Sequence, residues 1–318
     1  MSPSRDRARL AQARIVGTLC RLFFAVPRAA HRKIETRRNR LNGVLFASVL
    51  GLTSALVWGA GDFLGGLSSR RASVLGALLV NEASGLAVLL ACAILFQEPF
   101  PSNVQIGWSI AAGIVGVIGL GALYAGLASA RASIVAPVSA VVAALLPAVY
   151  SAFTIGLPAS HQQIGFLLAL AAIVLVSYSN QGVGELRALG LALCAGIGFG
   201  LFFIFIHQGS AGSTFYPLVF SRGISIPIVL GALLWRRAPL PSKPVLPLAL
   251  ASGVFDAGGN IFFLLATQFG RLDVATILSS LYPASTVILS RIFLHEKISR
   301  LQQLGVVLAL AAIVLIAL

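Results

Sequence analysis

The octapeptide LALAAIVL occupies Leu168–Leu175 and recurs at Leu308–Leu315. Just ahead of it stand HQQIG at His161–Gly165 and LQQLG at Leu301–Gly305, at the same offset of 140 residues. Leu and Ala are common here, so a short apolar match has weight only if the register holds elsewhere. A gapless shift of 140 places Arg131 on Arg271, Gly113 on Gly253, Gly119 on Gly259 and Ser139 on Ser279. It also places Gln162–Gln163 on Gln302–Gln303 and Leu90 on Leu230. One register kept across several apolar segments marks an internal duplication.

The apolar character of the repeat extends to the whole chain. Of its 318 residues 58% are hydrophobic and 10% charged, with a mean hydropathy of +0.95. Soluble domains carry about 25% charged residues, so there is too little polar surface here to cover a water-soluble fold. The composition is that of an integral membrane protein. The net charge of +14 does not make it a nucleic-acid binder, because eleven of the 23 Lys and Arg fall within residues 1–40, beside only Asp6 and Glu35. A nucleic-acid footprint needs basic side chains clustered on a folded face; a basic tail ahead of a first apolar run orients a chain in a membrane or meets lipid headgroups. Cys20, Cys92 and Cys194 are far apart and form no zinc-type or disulfide pattern.

Since about 20 apolar residues cross a bilayer, the apolar runs set the organisation. They lie at Leu41–Leu67, Ser73–Phe96, Gln105–Ala128, Ser133–Ile155 and Gln162–Tyr178, then at Ala188–Gln208, Ser213–Trp235, Val245–Phe269, Val274–Leu294 and Leu301–Leu318. The expected fold is an all-α integral membrane protein of about ten transmembrane helices. It comprises a disordered basic tail over 1–40 and five-helix repeats over 41–180 and 188–318. Five is odd, so the halves cross in opposite senses. That inverted repeat is the plan of many secondary transporters, which bind substrate near midplane between the halves.

The ten runs, the duplication and the stretch DVATILSSLYPASTVILSRIFLHEKISRLQQLGVVLAL at Asp273–Leu310 resemble the EamA-type transporters of the drug/metabolite transporter superfamily. WGAGDFLGGLSSRRAS at Trp58–Ser73 is similar to bacterial members of that group. The resemblance, which covers about Leu45–Leu318, implies a multi-pass protein of a bacterial inner membrane. Such a protein would export a small organic metabolite (amino-acid-, sugar- or drug-like) by alternating access, with protons or the substrate's own gradient as driving force. A lipid-intermediate flippase of the same superfamily is the alternative. Glu296 matches the family's glutamate after the helix, but Gly156 stands at the corresponding position of the first half.

Ionisable residues within membrane spans are costly and mark function by default. Here they are Asp62, Glu82, His207, Arg222 and Asp256. Glu82 and Arg222 are separated by 140 and so occupy the same position in the two halves. They either form a buried ion pair that docks the halves or line a cavity for a charged or zwitterionic substrate, with Glu82 also able to take a coupling proton. Asp256 and Asn260 share a helix face, and their counterparts are Gly116 and Leu120, so this polar pair belongs to one half only. It either orients an asymmetric ligand or knits two helices together. Asp62 reads first as an interfacial residue within reach of Arg70 or Arg71 and second as a site residue, and Trp58, one turn earlier, lines a cavity or packs. The substrate-binding or coupling candidates are therefore Glu82, Arg222, Asp256, Asn260, Asp62 and Trp58. His207 reads as interfacial; Tyr124 and Tyr150 are candidate cavity walls.

Glycines at Gly113–Gly121 and Gly196–Gly200 allow close helix approach, while Pro137, Pro147, Pro217, Pro227 and Pro283 are expected to kink or break helices. Ser84 in NEASG has no suggestive histidine partner, and no G-x-x-x-x-G-K-[ST] loop is present. Intramembrane proteolysis and ATP drive are set aside, and the expectation is a non-enzyme without cofactor or metal. Its partners are a small-molecule substrate and the lipid bilayer, with protons as candidate coupling ion and no nucleic acid; the chain is a monomer or a homodimer.

Orientation is contradictory. The tail puts the N-terminus in the cytoplasm, yet Arg70, Arg71, Arg131, Arg187, Arg236, Arg237, Lys243, Lys297 and Arg300 all fall in odd-numbered loops, external on that reading. The tail is Arg-rich and acid-poor but lacks a secretory signal's apolar core, and no methionine follows Met1. Translation is expected to begin near Val44 or Leu45, and N-terminal sequencing of the native protein checks this; a native chain beginning at Met1 or Ser2 contradicts it.

Overall fold

Among the described residues six stretches are long and apolar enough to cross a membrane: Gly43–Arg71, Val74–Leu95, Asn103–Ala128, Ala188–Gly209, Phe215–Arg236 and Leu246–Phe269. The computed structural model describes residues 37–128, 132–176, 186–294 and 299–317, and among these all regular structure is helical. Its elements are α1 (Arg37–Arg71), α2 (Val74–Leu95), α3 (Asn103–Ala128), α4 (Ala132–Thr154), α5 (Ser160–Val176), α6 (Leu186–Gly209), α7 (Phe215–Arg236), α8 (Leu246–Phe269), α9 (Leu272–Ser279), α10 (Tyr282–Leu294) and α11 (Arg300–Ala317). The basic tail through Glu35, Arg131 and the Glu296–Lys297 pair lie outside the described residues. Large apolar side chains such as Ile94, Phe153, Leu167 and Val307 face outward, as lipid-facing positions do. The chain is a multi-pass integral membrane protein.

The ninth apolar run is not one helix. α9 stops at Ser279 and α10 begins at Tyr282. The cause is Pro283, which lacks the N–H that would bond the Ser279 carbonyl and sits instead in the first turn of α10, where a missing N–H costs nothing. Pro217 disturbs nothing, because it sits in the first turn of α7, where N–H groups have no helical partner. Pro227 lies inside α7.

The glycine runs act as expected. α3 and α6 have extensive contact, and a Cβ at Gly119 would press on the Ala195 carbonyl and Gly198, while one at Gly198 would press on the Val115 carbonyl. α2 packs on α7 and α8, α3 on α7, and α5 on α11. α1 is held by hydroxyl-to-carbonyl bonds across helices. Ser54 donates to Gly259 at 2.8 Å, and Gly51 and Ala55 accept from Ser279 and Ser285, each at 3.2 Å. Such bonds knit helices where no water competes.

Local geometry recurs at the 140-residue offset. Gln97 after α2 and Arg237 after α7 both have φ of 49°, and their N–H groups bond Ile94 and Leu234 at 3.2 Å in each case. The next N–H groups, of Glu98 and Ala238, reach back to Ala93 and Leu233. Both helices thus end in the same left-handed cap, in neither case on glycine. A Cβ on Gly113 would strike the Ser221 carbonyl, and one on the offset-related Gly253 would strike that of Asn81, itself offset-related to Ser221.

The loops bond in a restricted pattern. Glu98, between α2 and α3, caps α7 by accepting from Ser213 Oγ at 2.8 Å and from the N–H groups of Phe215 and Tyr216 at 2.7 and 2.9 Å. Ser73, which caps α2, donates to Pro239 between α7 and α8. Arg271 donates to the Gly156 carbonyl at 2.7 Å and to the buried Asp273 carboxylate. The residue at the position of the family glutamate thus takes part through its backbone, at a φ of +94° that favours glycine.

Gly113→Ala or Gly253→Ala is expected to lower the thermal midpoint of the detergent-purified protein, since overpacking against backbone costs about 1–3 kcal/mol. Gly231→Ala, with nothing within 4 Å of the new methyl, should leave it unchanged. Equal midpoints for all three variants would contradict the packing described.

Candidate functional site

A charge that cannot be neutralised sits in the middle of the bundle. Arg222 on α7 is 6% exposed, and a guanidinium keeps its proton in any protein setting. Burial therefore demands acceptors, and three side chains from two helices supply them. Its Nη1 lies 3.2 Å from Glu82 Oε2 and donates to Asn81 Oδ1 at 3.3 Å, both on α2. Its Nη2 donates to Asp256 Oδ2 on α8. The guanidinium fits against α2 because residue 85 is glycine; a Cβ there would meet Arg222 Cζ at 2.7 Å.

A second tier steadies the first. Asn81 Nδ2 donates to Tyr124 Oη and to Ser252 Oγ, each at 3.0 Å, and those two oxygens are 2.8 Å apart. Ser252 donates to the Gly61 carbonyl at 2.9 Å, so the proton between it and Tyr124 comes from the tyrosine. The network ties α1, α2, α3, α7 and α8 together. Tyr124 is thus an internal strut rather than a cavity wall, and its ring occupies space that any side chain at residue 65 would fill.

All six sequence candidates line one cavity of ≈ 640 Å³, measured out to its mouth. Glu82, Arg222 and Asp256 form the ionic cluster at its wall. Asn260 Nδ2 donates to the Asp256 carbonyl at 2.7 Å and to Asp256 Oδ1 at 3.4 Å. Trp58 stacks with Phe203 and Phe263 at ring distances of 5.5 and 5.8 Å over Gly259, where a Cβ would not fit. Asp62 also lines the cavity, against the interfacial reading. Its proposed partner Arg70 turns away, and Arg70 Nε donates to the Leu127 carbonyl at 3.0 Å. Tyr150 is outside the lining and accepts from Gln208 instead. His207 lies in the last turn of α6 with a buried Nδ1 that has no hydrogen-bond partner among the described residues.

Asn81, Tyr124 and Ser252 carry the network without having been singled out for it. The signal available was position: Asn81 adjoins Glu82, and Ser252 lies one helical turn before Asp256. The cavity also takes Tyr282 from the α9–α10 break and Ser225 from α7. This places helix ends and hydroxyls beside the charges.

Arg222→Ala should destabilise the purified protein far more than Glu82→Gln. Removing the cation leaves two buried carboxylates uncompensated, a loss of about 3–5 kcal/mol, whereas Glu82→Gln keeps the bond to Asp256. Thermal unfolding of the two variants in one detergent checks the order; a larger loss for Glu82→Gln would contradict it.

Comparison with known proteins agrees with this architecture. Residues 186–318 match the EamA-like transporter family. An uncharacterized protein of Methanocaldococcus jannaschii is 30% identical over 128 residues, 40% of this chain and 93% of that protein. A solved structure described as "Crystal structure of protein" superposes with a TM-score of 0.70 at 17% identity, covering 86% of this chain and 98% of its own; that likeness concerns the fold. The chain belongs to the EamA-like transporter family, whose members are transporters of the drug/metabolite type.

Proposed function

We propose that the protein is a secondary transporter that moves a small organic metabolite across a bacterial inner membrane by alternating access, in the direction of export. The observation that carries this reading is where the cavity lies. It is lined by equivalent positions of the two halves: Glu82 with Arg222, Gly116 with Asp256, Leu120 with Asn260, and Asp62 with Phe202 are each 140 residues apart. A site between inverted repeats at mid-depth is what a rocking mechanism needs, since each half can then open it toward one side.

Ten crossings in inverted halves 41–180 and 188–318 fit the loop bonds. Numbering loops along ten spans, the second meets the sixth through Glu98, the first meets the seventh through Ser73, and the fourth meets the eighth through Arg271. Arg70 joins the first to the end of α3 beside the third. Each pair has the same parity, as loops on one face of a membrane must. Of the other four spans, α4 has 23 residues and is as long as several of the six, α5 and α11 have 17 and 18, and one is interrupted ahead of Pro283.

The test is the extracellular metabolite profile of cells producing the native chain, the Asp256→Asn variant at equal membrane abundance, or neither. A metabolite enriched outside only with the native chain, and reduced about tenfold or more by loss of the Asp256 charge-assisted bonds, supports export through this cavity. Three matching profiles would contradict it and turn attention to lipid flipping.

A further inference from the structure

We infer that the substrate is an amphipathic organic ammonium ion, its nitrogen held by Asp62 and Asn260 and its apolar body by the aromatic surface of α6. This deepens the transport reading above and rests on it. The inference follows from a count of donors and acceptors in the cavity, then from where they lie.

The cavity's cation already has both Nη groups, and two carboxylates, engaged within the protein. Arg222 directs Nη1 to Glu82 and Asn81 and Nη2 to Asp256, so an anionic ligand would have to displace a carboxylate to reach it. Ser225 Oγ is committed to the carbonyls of Gly113 and Ser221, at 3.1 and 3.0 Å, and Tyr282 Oη lies 3.2 Å from Ser139 Oγ. Two further lining side chains offer unengaged acceptors. Asn260 is 6% exposed and lines the cavity, and its buried Oδ1 has no hydrogen-bond partner among the described residues. Its amide cannot be turned the other way, because Nδ2 faces two oxygens of Asp256. Asp62 lines the same cavity, and its carboxylate makes no ion pair or hydrogen bond among the described residues.

Leaving buried acceptors unmet costs free energy that a ligand rich in N–H groups recovers. An ammonium offers donors and no acceptor. By formal charge, three carboxylates face one guanidinium in the lining, an excess that a cation offsets and a zwitterion or anion does not. A divalent metal is a poorer occupant: among the described residues no three acidic, His or Cys side chains converge as ligands would.

The duplication supplies the shape of the ligand. The offset relates Asp62 to Phe202, Asp256 to Gly116, and Asn260 to Leu120. The polar lining of α1 and α8 thus has apolar counterparts on α6 and α3, and Phe199 and Phe203 of α6 add aromatic surface. Aromatic faces also attract a nearby cation.

The test is calorimetric binding to the full-length protein in nanodiscs, using three probes that share one ring and differ in charge: 2-phenylethylammonium, phenylalanine and 3-phenylpropionate. The ammonium should bind at least about tenfold more tightly than either carboxylate-bearing probe, equivalent to 1.4 kcal/mol. Asp62→Asn should weaken ammonium binding by a similar factor, and Asp62→Glu should restore most of it. Equal or tighter binding of phenylalanine or phenylpropionate overturns the inference. So does ammonium binding that is indifferent to Asp62→Asn in a variant with an unchanged melting point. Absence of ammonium binding while cells still export a metabolite overturns the inference and leaves transport standing; absence of both removes the two readings together.

Discussion

One buried guanidinium organises the rest. Arg222 cannot shed its proton, so the bundle either surrounds it with acceptors or does not form in this arrangement. Glu82 and Asn81 reach it from α2 and Asp256 from α8, and Gly85 removes the side chain that would block its approach. Through Asn81 the same contact engages Tyr124, Ser252 and the backbone of α1. In a bilayer, apolar packing alone gives little preference for one helix register over another, because lipid tails are as apolar as leucine. A charged cluster with fixed partners supplies that preference.

Local backbone geometry matches at positions 140 residues apart, while the cavity lining does not. The left-handed caps at Gln97 and Arg237, and the paired approaches of Gly113 to Ser221 and Gly253 to Asn81, keep the same geometry at offset-related positions. The lining has diverged where it faces the cavity. Acid meets arginine at the self-facing pair Glu82 and Arg222, and Asp62, Asp256 and Asn260 on α1 and α8 have Phe202, Gly116 and Leu120 as their offset counterparts. A frame that rocks between equivalent states requires matching halves; a site that orients an unsymmetrical solute requires unmatched walls. Both features are present together.

Much of this was legible in the order of residues. Apolar runs bounded by short polar breaks located most helix ends to within a few residues, because a bilayer imposes a length on each run. The relation of Glu82 to Arg222 was visible from the offset, and burial of both follows from the cost of charge in a span. The break before Pro283 was foreseen only as a general effect of proline, and the run was taken as one helix. Asp62 was drawn toward Arg70 by nearness in sequence, while the fold sends Arg70 to the Leu127 carbonyl. Asn81, Tyr124 and Ser252 gave no signal of their own, since neutral polar groups are tolerated on many helix faces and only tertiary packing shows which of them meet. Glu98 is similar: a loop acid becomes the cap of α7 only when two loops distant in sequence come together.

The central claim is that the cavity around Arg222 opens to each side of the membrane in turn. Ser225, buried at its wall, is the place to test it. With Cys20, Cys92 and Cys194 replaced by Ala, a Ser225→Cys chain in sealed right-side-out and inside-out vesicles would be treated with a membrane-impermeant maleimide. Alternating access predicts labelling from both faces at comparable extents. Labelling from one face only, in a protein that still exports its substrate, would contradict it.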